Sequence, residues 1–384
     1  MEGGGLSFSP FPLSNPEKPL SAFVLGACRG GRIEVLMWLK NCYNCDMRTW
    51  TCACDEAASY NQLQCLKWLR NEGCLWDEGT CEKAVLHGHL EMLKYLRSQG
   101  CPWHDEEICH CAAMDGNFEI LKWARSQGCE WDSSTMCEMG AISGNLDMMK
   151  WLRTSEGCPW GGTCEAAAEN GHLGVLKWAR SQGCPWDATT CDAAAAGGYI
   201  EMLKWARSQG CPWSSCTCAN AASYGHMEVL KFARSNGCPW DEETCSNAAL
   251  GGFLEILKWA RSHGCPWDER VCTSAAKEGH LEILKWARSQ DCPWNEEACK
   301  FAAARNHLEL LKWLRSKGCP WNASVCSEAA RFGHLEVLKW ARSHGCPWDE
   351  SVCELAQQRG DYELLGWALS QGCPHSEESL QSMQ

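Results

Sequence analysis

Apolar and polar positions alternate along this chain in two recurring blocks, both at helical spacing. In the stretch DEETCSNAALGGFLEILKWARSHGCP, residues 241–266, the first block places Cys245, Ala248 and Ala249 on one small apolar seam. Asp241 precedes it as an acceptor for free helix N–H groups, and Glu242 and Glu243 occupy the first turn, where the helix dipole favours negative charge. Gly251-Gly252 predicts the end of this first helix, because glycine enters the left-handed conformation cheaply. The second block directs Leu254, Ile256, Leu257, Trp259 and Ala260 to one side and Glu255, Lys258, Arg261 and Ser262 to the other. Gly264 closes it, and Pro266 prevents continuation. One unit is therefore two antiparallel helices joined by short loops.

The unit repeats. Trp178, Trp205, Phe232, Trp259, Trp286, Trp313, Trp340 and Trp367 follow one another every 27 residues. Upstream the series runs through Trp151, Trp123, Tyr95, Trp68 and Trp38 at intervals of 27, 28 or 30. This predicts about 13 helix-turn-helix units over residues 20–375, since a fixed period of roughly 20–50 residues marks a solenoid or a propeller. No alternating strand pattern occurs, so the predicted class is all-α. Residues 1–19 are Ser/Pro/Gly-rich and are expected to be disordered, and residues 376–384 form a tail. The first unit, with Val24 at the seam, and the last, with Gly366 and His375 at atypical places, read as solenoid ends.

The stretch GHLEVLKWARSHGC, residues 333–346, is similar to the ankyrin repeat pattern GHLEIVKLLLEHGA, and Thr-Cys-x-x-Ala-Ala resembles the first helix of that repeat. The resemblance extends over all the units and implies an ankyrin-like helical solenoid. The difference is length: ankyrin units run to about 33 residues, and the missing residues are those of the projecting β-hairpin finger. The family resemblance implies protein binding through fingers and inner helices, so a finger-poor chain is expected to bind through the inner helices and short loops.

Composition sharpens this picture. The chain holds 23 Trp and 31 Cys among 384 residues, and the repeat accounts for both excesses. The Cys-Pro-Trp tryptophans stand where the ankyrin pattern has a buried valine, which predicts core packing between units. The regular cysteines, such as Cys238, Cys245, Cys265 and Cys272, are expected to act as small apolar side chains. One cluster departs from the repeat: Cys42, Cys45, Cys52 and Cys54 lie close enough in sequence to enclose a zinc ion. The histidines of the Gly-His pairs, including His172, His226, His280 and His334, are expected to stabilise turns. Nothing stands apart from the repeat as a catalytic constellation. No enzyme activity and no cofactor are expected.

Positions that change from unit to unit are free to serve a partner. They are the two residues after the seam cysteine and the two after the Ala-Ala pair, one turn apart on the first helix. The resemblance places that face on the concave side. Its early units carry Glu138, Glu165, Glu169 and Asp192. Later units carry Lys277, Lys300, Phe301, Arg305, Glu328, Arg331 and Phe332. Arg and aromatic residues are frequent interface anchors, so these residues are the candidate partner-binding positions. The expected function is a non-catalytic scaffold that binds another protein or peptide segment, as a monomer.

The alternative reading is a zinc-containing or nucleic-acid-binding solenoid, using the four clustered cysteines or the outer Glu-x-x-Lys-x-x-Arg stripe. A net charge of −13 and the uniformity of the stripe argue against nucleic acid. The start lacks the basic flank and apolar core of a signal peptide, and no apolar run approaches the roughly 18 residues of a membrane span. No membrane partner is expected, and the expected location is cytoplasmic or nuclear.

Overall fold

The computed structural model describes residues 17–43, 50 and 52–375. The segment before residue 17, the tail 376–384 and Cys45 lie outside the described residues. Among the described residues there are 26 helices and no strand. They form two compact units, Met1–Pro185 and Trp186–Gln384. Twelve helices, from Glu17–Arg29 to Leu173–Ser181, belong to the first unit, and fourteen, from Ala188–Ala196 to Tyr362–Ser370, to the second. Each helix pair is one repeat, and the fold is an all-α, ankyrin-like helical solenoid.

The predicted caps form. Asp241 Oδ1 accepts from the Glu243 amide at 3.1 Å, and Asp77, Asp132, Asp187, Ser214 and Asn295 cap their helices in the same way. The closing turn is more selective than the Gly251-Gly252 pair suggested. Gly251 stays right-handed, and only Gly252 is left-handed, at φ 82°. A Cβ on Gly252 would meet His280 Cε1 at 2.8 Å. The histidine of the next repeat lies against this turn, and its Nε2 donates to the Leu250 carbonyl at 3.2 Å. His172, His226, His307 and His334 make the same bond, each to a carbonyl 30 residues upstream. These histidines, four in Gly-His pairs and His307 after Asn306, thus satisfy carbonyls that a helix C-terminus would otherwise leave open, and they tie one repeat to the next.

First helices pack closely on the first helices of neighbouring repeats because their seams are small. Cys245, Ala248 and Ala249 are all fully buried. The second helices bury Ile256, Leu257 and Ala260 and keep Trp259 half-buried. The tryptophans depart from the expectation of core packing. Only Trp50 and Trp160 are buried among the described residues. Trp38 is exposed, and the others form a half-buried layer between successive second helices. Trp267 meets Trp286 edge-to-face at 5.8 Å between ring centroids, while the Arg261 guanidinium lies 4.1 Å over the Trp267 ring. The ring is too large to enter a seam built of Ala and Cys, so it packs where a finger would otherwise lie. Arg261 also donates through Nη1 to the Cys265 carbonyl at 2.6 Å.

A second latch joins some first helices. Thr80 Oγ1 donates to Asp55 Oδ1 at 2.6 Å, and Thr217 donates to Asp192. In each case the acid follows the seam cysteine one repeat earlier. At Thr244 the corresponding residue is Ala219, and the buried Thr244 hydroxyl has no hydrogen-bond partner. Where the preceding residue is Ser246, Lys300 or Ser327, the threonine position itself holds Val271, Val325 or Val352, all fully buried.

Two stability predictions follow from these contacts. An unpaired buried hydroxyl costs about 1–3 kcal/mol. Thr244→Val should therefore stabilise by about 1 kcal/mol, whereas Thr217→Val should destabilise by a similar amount. Hydrogen-exchange protection of residues 242–250 and 215–223 separates the two, and equal signs would refute the latch. Arg261→Ala should cost about 1–2 kcal/mol through the lost stacking and carbonyl bond, while Lys258→Ala should cost less than about 0.5 kcal/mol. Urea midpoints of the two variants check the difference.

Candidate partner-binding surface

The variable positions fall where the first helices can spare them: on the face turned from the seam and at the helix ends. The small seam fixes the helix axis, so side chains one turn apart on the free face vary without disturbing the core. In the unit Met1–Pro185, Glu165 and Glu169 are exposed on the helix Thr163–Glu169. Glu138 is half-buried, with its carboxylate against the Gly161-Gly162 turn: a Cβ on Gly162 would meet it at 3.3 Å.

In the unit Trp186–Gln384 the candidates divide by how far their charges are engaged. Asp192 is half-buried and accepts hydrogen bonds from the Thr217 and Ser214 hydroxyls. Burial raises its carboxyl above the ordinary range, and those two bonds oppose the shift. Its geometry is that of a latch between first helices. Lys300 is half-buried, paired with Glu297 at 3.1 Å and 5.4 Å from the centroid of the Phe301 ring. Glu328 is half-buried and pairs with Arg331 at 3.4 Å.

The helix ends are more open. Lys277 and Arg331 are the last residues of their helices, and Arg305 and Phe332 follow directly as C-caps. Arg305 and Arg331 are exposed, Phe332 is 48% exposed, and Lys277 is half-exposed. The Phe332 ring stacks on His334 at 6.3 Å between centroids, which holds it in place while leaving its other face open. Tyr224 stands at the equivalent C-cap four repeats earlier, 61% exposed. Arg359 Nη1 donates to the Arg331 carbonyl at 3.2 Å and so reinforces the helix end that carries Arg331. The result is a row of cationic and aromatic side chains on rigid helix ends, able to make charge-assisted hydrogen bonds and apolar contacts.

The residues of the alternative reading are placed differently. Cys42 and Cys52 are exposed, whereas Cys54 is buried beside Cys74, whose thiol hydrogen-bonds with it and pushes it well above the ordinary range. Among the described residues, no group of three or more His, Cys, Asp or Glu is arranged to hold a metal ion. On the outer stripe, Lys204, Lys231 and Lys258 pair with Glu201, Glu228 and Glu255 at 2.7–2.8 Å. The stripe arginines are held over indole rings, and Arg207, Arg234 and Arg261 also donate to loop carbonyls. No helix is long and apolar enough to cross a membrane among the described residues.

Two structural devices escaped the sequence reading: the arginine-on-indole layer and a pairing of thiols within repeats. Both carry a signal in the chain. Arginine stands six residues before the Cys-Pro-Trp tryptophans, as in Arg261 and Trp267, except for Arg153, seven before Trp160, and the two regular cysteines of a repeat stand 20 residues apart, as in Cys245 and Cys265, except for Cys137 and Cys158.

Residues 299–342 match a family model described as Ankyrin repeats (many copies). No curated protein matches the sequence. Among solved structures, the ankyrin repeat domain of human ASB11 is similar at 18% identity, covering 41% of this chain and 84% of its own, with a TM-score of 0.35. The maize pentatricopeptide repeat protein PPR10 is similar at 12% identity, covering 94% of this chain and 69% of its own, with a TM-score of 0.33. The repeats on either side of residues 299–342 share their caps, glycine turns and Ala/Cys seams, and the chain is an ankyrin-like repeat protein.

Proposed function

We propose that this chain is a non-catalytic scaffold that captures another protein or a peptide segment on the variable face and ends of its first helices. Ankyrin repeats are in general protein–protein interaction modules. The observation that carries the reading here is the contrast within each first helix. Seam positions are small, buried and uniform, whereas Arg305, Arg331 and Phe332 are exposed on rigid helix ends and differ from repeat to repeat. Arg and large aromatic side chains supply much of the binding energy at protein interfaces. Their exposure on helix termini anchored by His334 at Ala304 and by Arg359 at Arg331 limits the entropy lost on binding.

The acidic residues of the earlier repeats suit a basic segment, with Glu165 and Glu169 as its most accessible groups. Lys277, Arg305, Arg331 and Phe332 suit an acidic segment carrying an aromatic or aliphatic anchor. Lys300, Phe301 and Glu328 line the same face at lower exposure, and Glu138 and Asp192 contribute mainly to the turns and latches beneath it. The outer stripe is the natural control, because its lysines are equally charged yet uniform between repeats.

The test compares protein capture by three forms of the full chain: wild type, Arg305→Glu/Arg331→Glu/Phe332→Ala, and Lys258→Glu/Lys285→Glu. The first variant should lose the proteins that wild type retains, by at least about tenfold, the equivalent of ~1.4 kcal/mol. The second should keep them. Loss in both variants, or in neither, would reject the helix-end site.

A further inference from the structure

Among the described residues no disulfide joins the cysteines of the repeat, and nearly all of them are buried. The first-helix thiol and the thiol before proline approach one another in repeat after repeat: Cys245 with Cys265, Cys272 with Cys292, Cys299 with Cys319. In nine repeats the second thiol also has a backbone partner of its own. It donates to a backbone carbonyl at or near the N-cap of its own first helix, as Cys211 does to Asp187 at 3.3 Å and Cys238 to Ser214 at 3.3 Å.

One repeat differs. Its helix Thr163–Glu169 starts from Gly162 instead of a side-chain cap. The carbonyl equivalent to that of Asp187 is Trp160 O, which accepts from both the amide and the hydroxyl of Thr163. Cys184 Sγ lies instead 3.5 Å from the Pro185 carbonyl, and the Cys164 thiol is directed onto it with the sulfurs 3.2 Å apart. Two sulfurs at that distance are inside ordinary van der Waals contact, and closing to a disulfide bond length needs ~1.2 Å of movement. Cys184 sits beneath an exposed loop, Gln182, Gly183 and Pro185, which gives a short route for a small oxidant.

We propose that Cys164 and Cys184 are a modification site: a dithiol that hydrogen peroxide, or another small hydroperoxide, converts to a disulfide within one repeat. Cys184 is the sulfur that reacts first. The hydrogen bond from Cys164 lowers its thiol below the ordinary range, and Arg180 and Arg153 act in the same direction against burial. The Cys184 thiolate attacks one peroxide oxygen, the O–O bond breaks, and the departing hydroxide takes up a proton to become water. Cys184 is then a sulfenic acid, oxidised by two electrons. The Cys164 sulfur attacks the sulfenic sulfur, its proton passes to the departing oxygen, and a second water leaves as the S–S bond forms. Two thiols and one peroxide give one disulfide and two waters. The new bond staples the helix Thr163–Glu169 to the loop that follows the helix Leu173–Ser181.

The test uses the full folded chain, exposed to hydrogen peroxide for increasing times, alkylated, digested and mapped by mass spectrometry. The expected result is a Cys164–Cys184 linked peptide that forms at least tenfold faster than a Cys191–Cys211 link and disappears on treatment with dithiothreitol. Cys164→Ala should leave Cys184 as a sulfenic acid that dimedone traps, and this variant is read only if its circular dichroism matches wild type. The wild-type map stands without it. Equal rates at the two pairs, persistent alkylation of Cys164 and Cys184, or cross-links to other cysteines in their place would each overturn the proposal.

Discussion

An arginine lying on an indole that meets the next indole edge-on is the contact on which this short repeat depends. A pair of nine-residue helices has too little apolar surface to fold by itself, and its stability must come from its neighbours. Longer ankyrin units have a finger to extend that contact. Here Trp267 spans the space between the second helix that carries Arg261 and the one that carries Trp286. Edge-to-face rings and a guanidinium over a ring face each add about 0.5–1.5 kcal/mol beyond their area. Repetition of these terms makes the neighbour interface strong enough for a 27-residue unit.

The same layer explains how the two sides of a repeat divide their work. Indoles hold the second helices apart, while Ala and Cys let the first helices approach closely. Bulk is thus confined to one side, and the first helices need no large side chain to keep their spacing. Their free positions can carry glutamate, arginine, phenylalanine or tyrosine with little consequence for packing. The outer charges have less freedom, because stripe arginines such as Arg207, Arg234 and Arg261 serve both a ring and a loop carbonyl. Charge alone would have made the outer stripe as plausible a binding surface as the helix ends. Its side chains are the more fully engaged, in hydrogen bonds and ion pairs of their own.

Much of this was legible in the sequence, since caps, glycine turns and seams are local and repeat. Asp241, Gly252, Gly264 and the Cys/Ala seam sit as their chemistry predicts. The class, the number of helix pairs and the turn-stabilising histidines followed from the same pattern. What was not legible depends on pairs of residues from different repeats. Asp192 and Lys300 occupy the same repeat position, yet one is clasped by the hydroxyls of Thr217 and Ser214 and the other lies along Glu297. Nothing within a single repeat distinguishes them. Tryptophan was expected in the core because its apolar area is large. Its size instead excludes it from a seam of small residues and leaves it half-buried beneath arginine.

The Thr–Asp latch shows how neighbouring repeats constrain one another while the fold as a whole tolerates change. Asp55 and Asp192 each meet a threonine one repeat onward, and Val271, Val325 and Val352 stand where the preceding residue is not an acid. A buried threonine therefore needs an acceptor, supplied by the upstream acid at Thr80 and Thr217 and by the Trp160 carbonyl at Thr163. Thr244, facing Ala219, breaks this pairing and leaves a donor without a partner. Because each repeat contacts chiefly its neighbours, that cost stays local and does not propagate along the chain. Local accounting of this kind lets a repeat exchange a latch for a variable surface residue one step at a time. Lys300 illustrates the outcome: the position that holds the latch acid in Asp192 has become part of the candidate binding face, and Val325 has removed the hydroxyl that would have needed it.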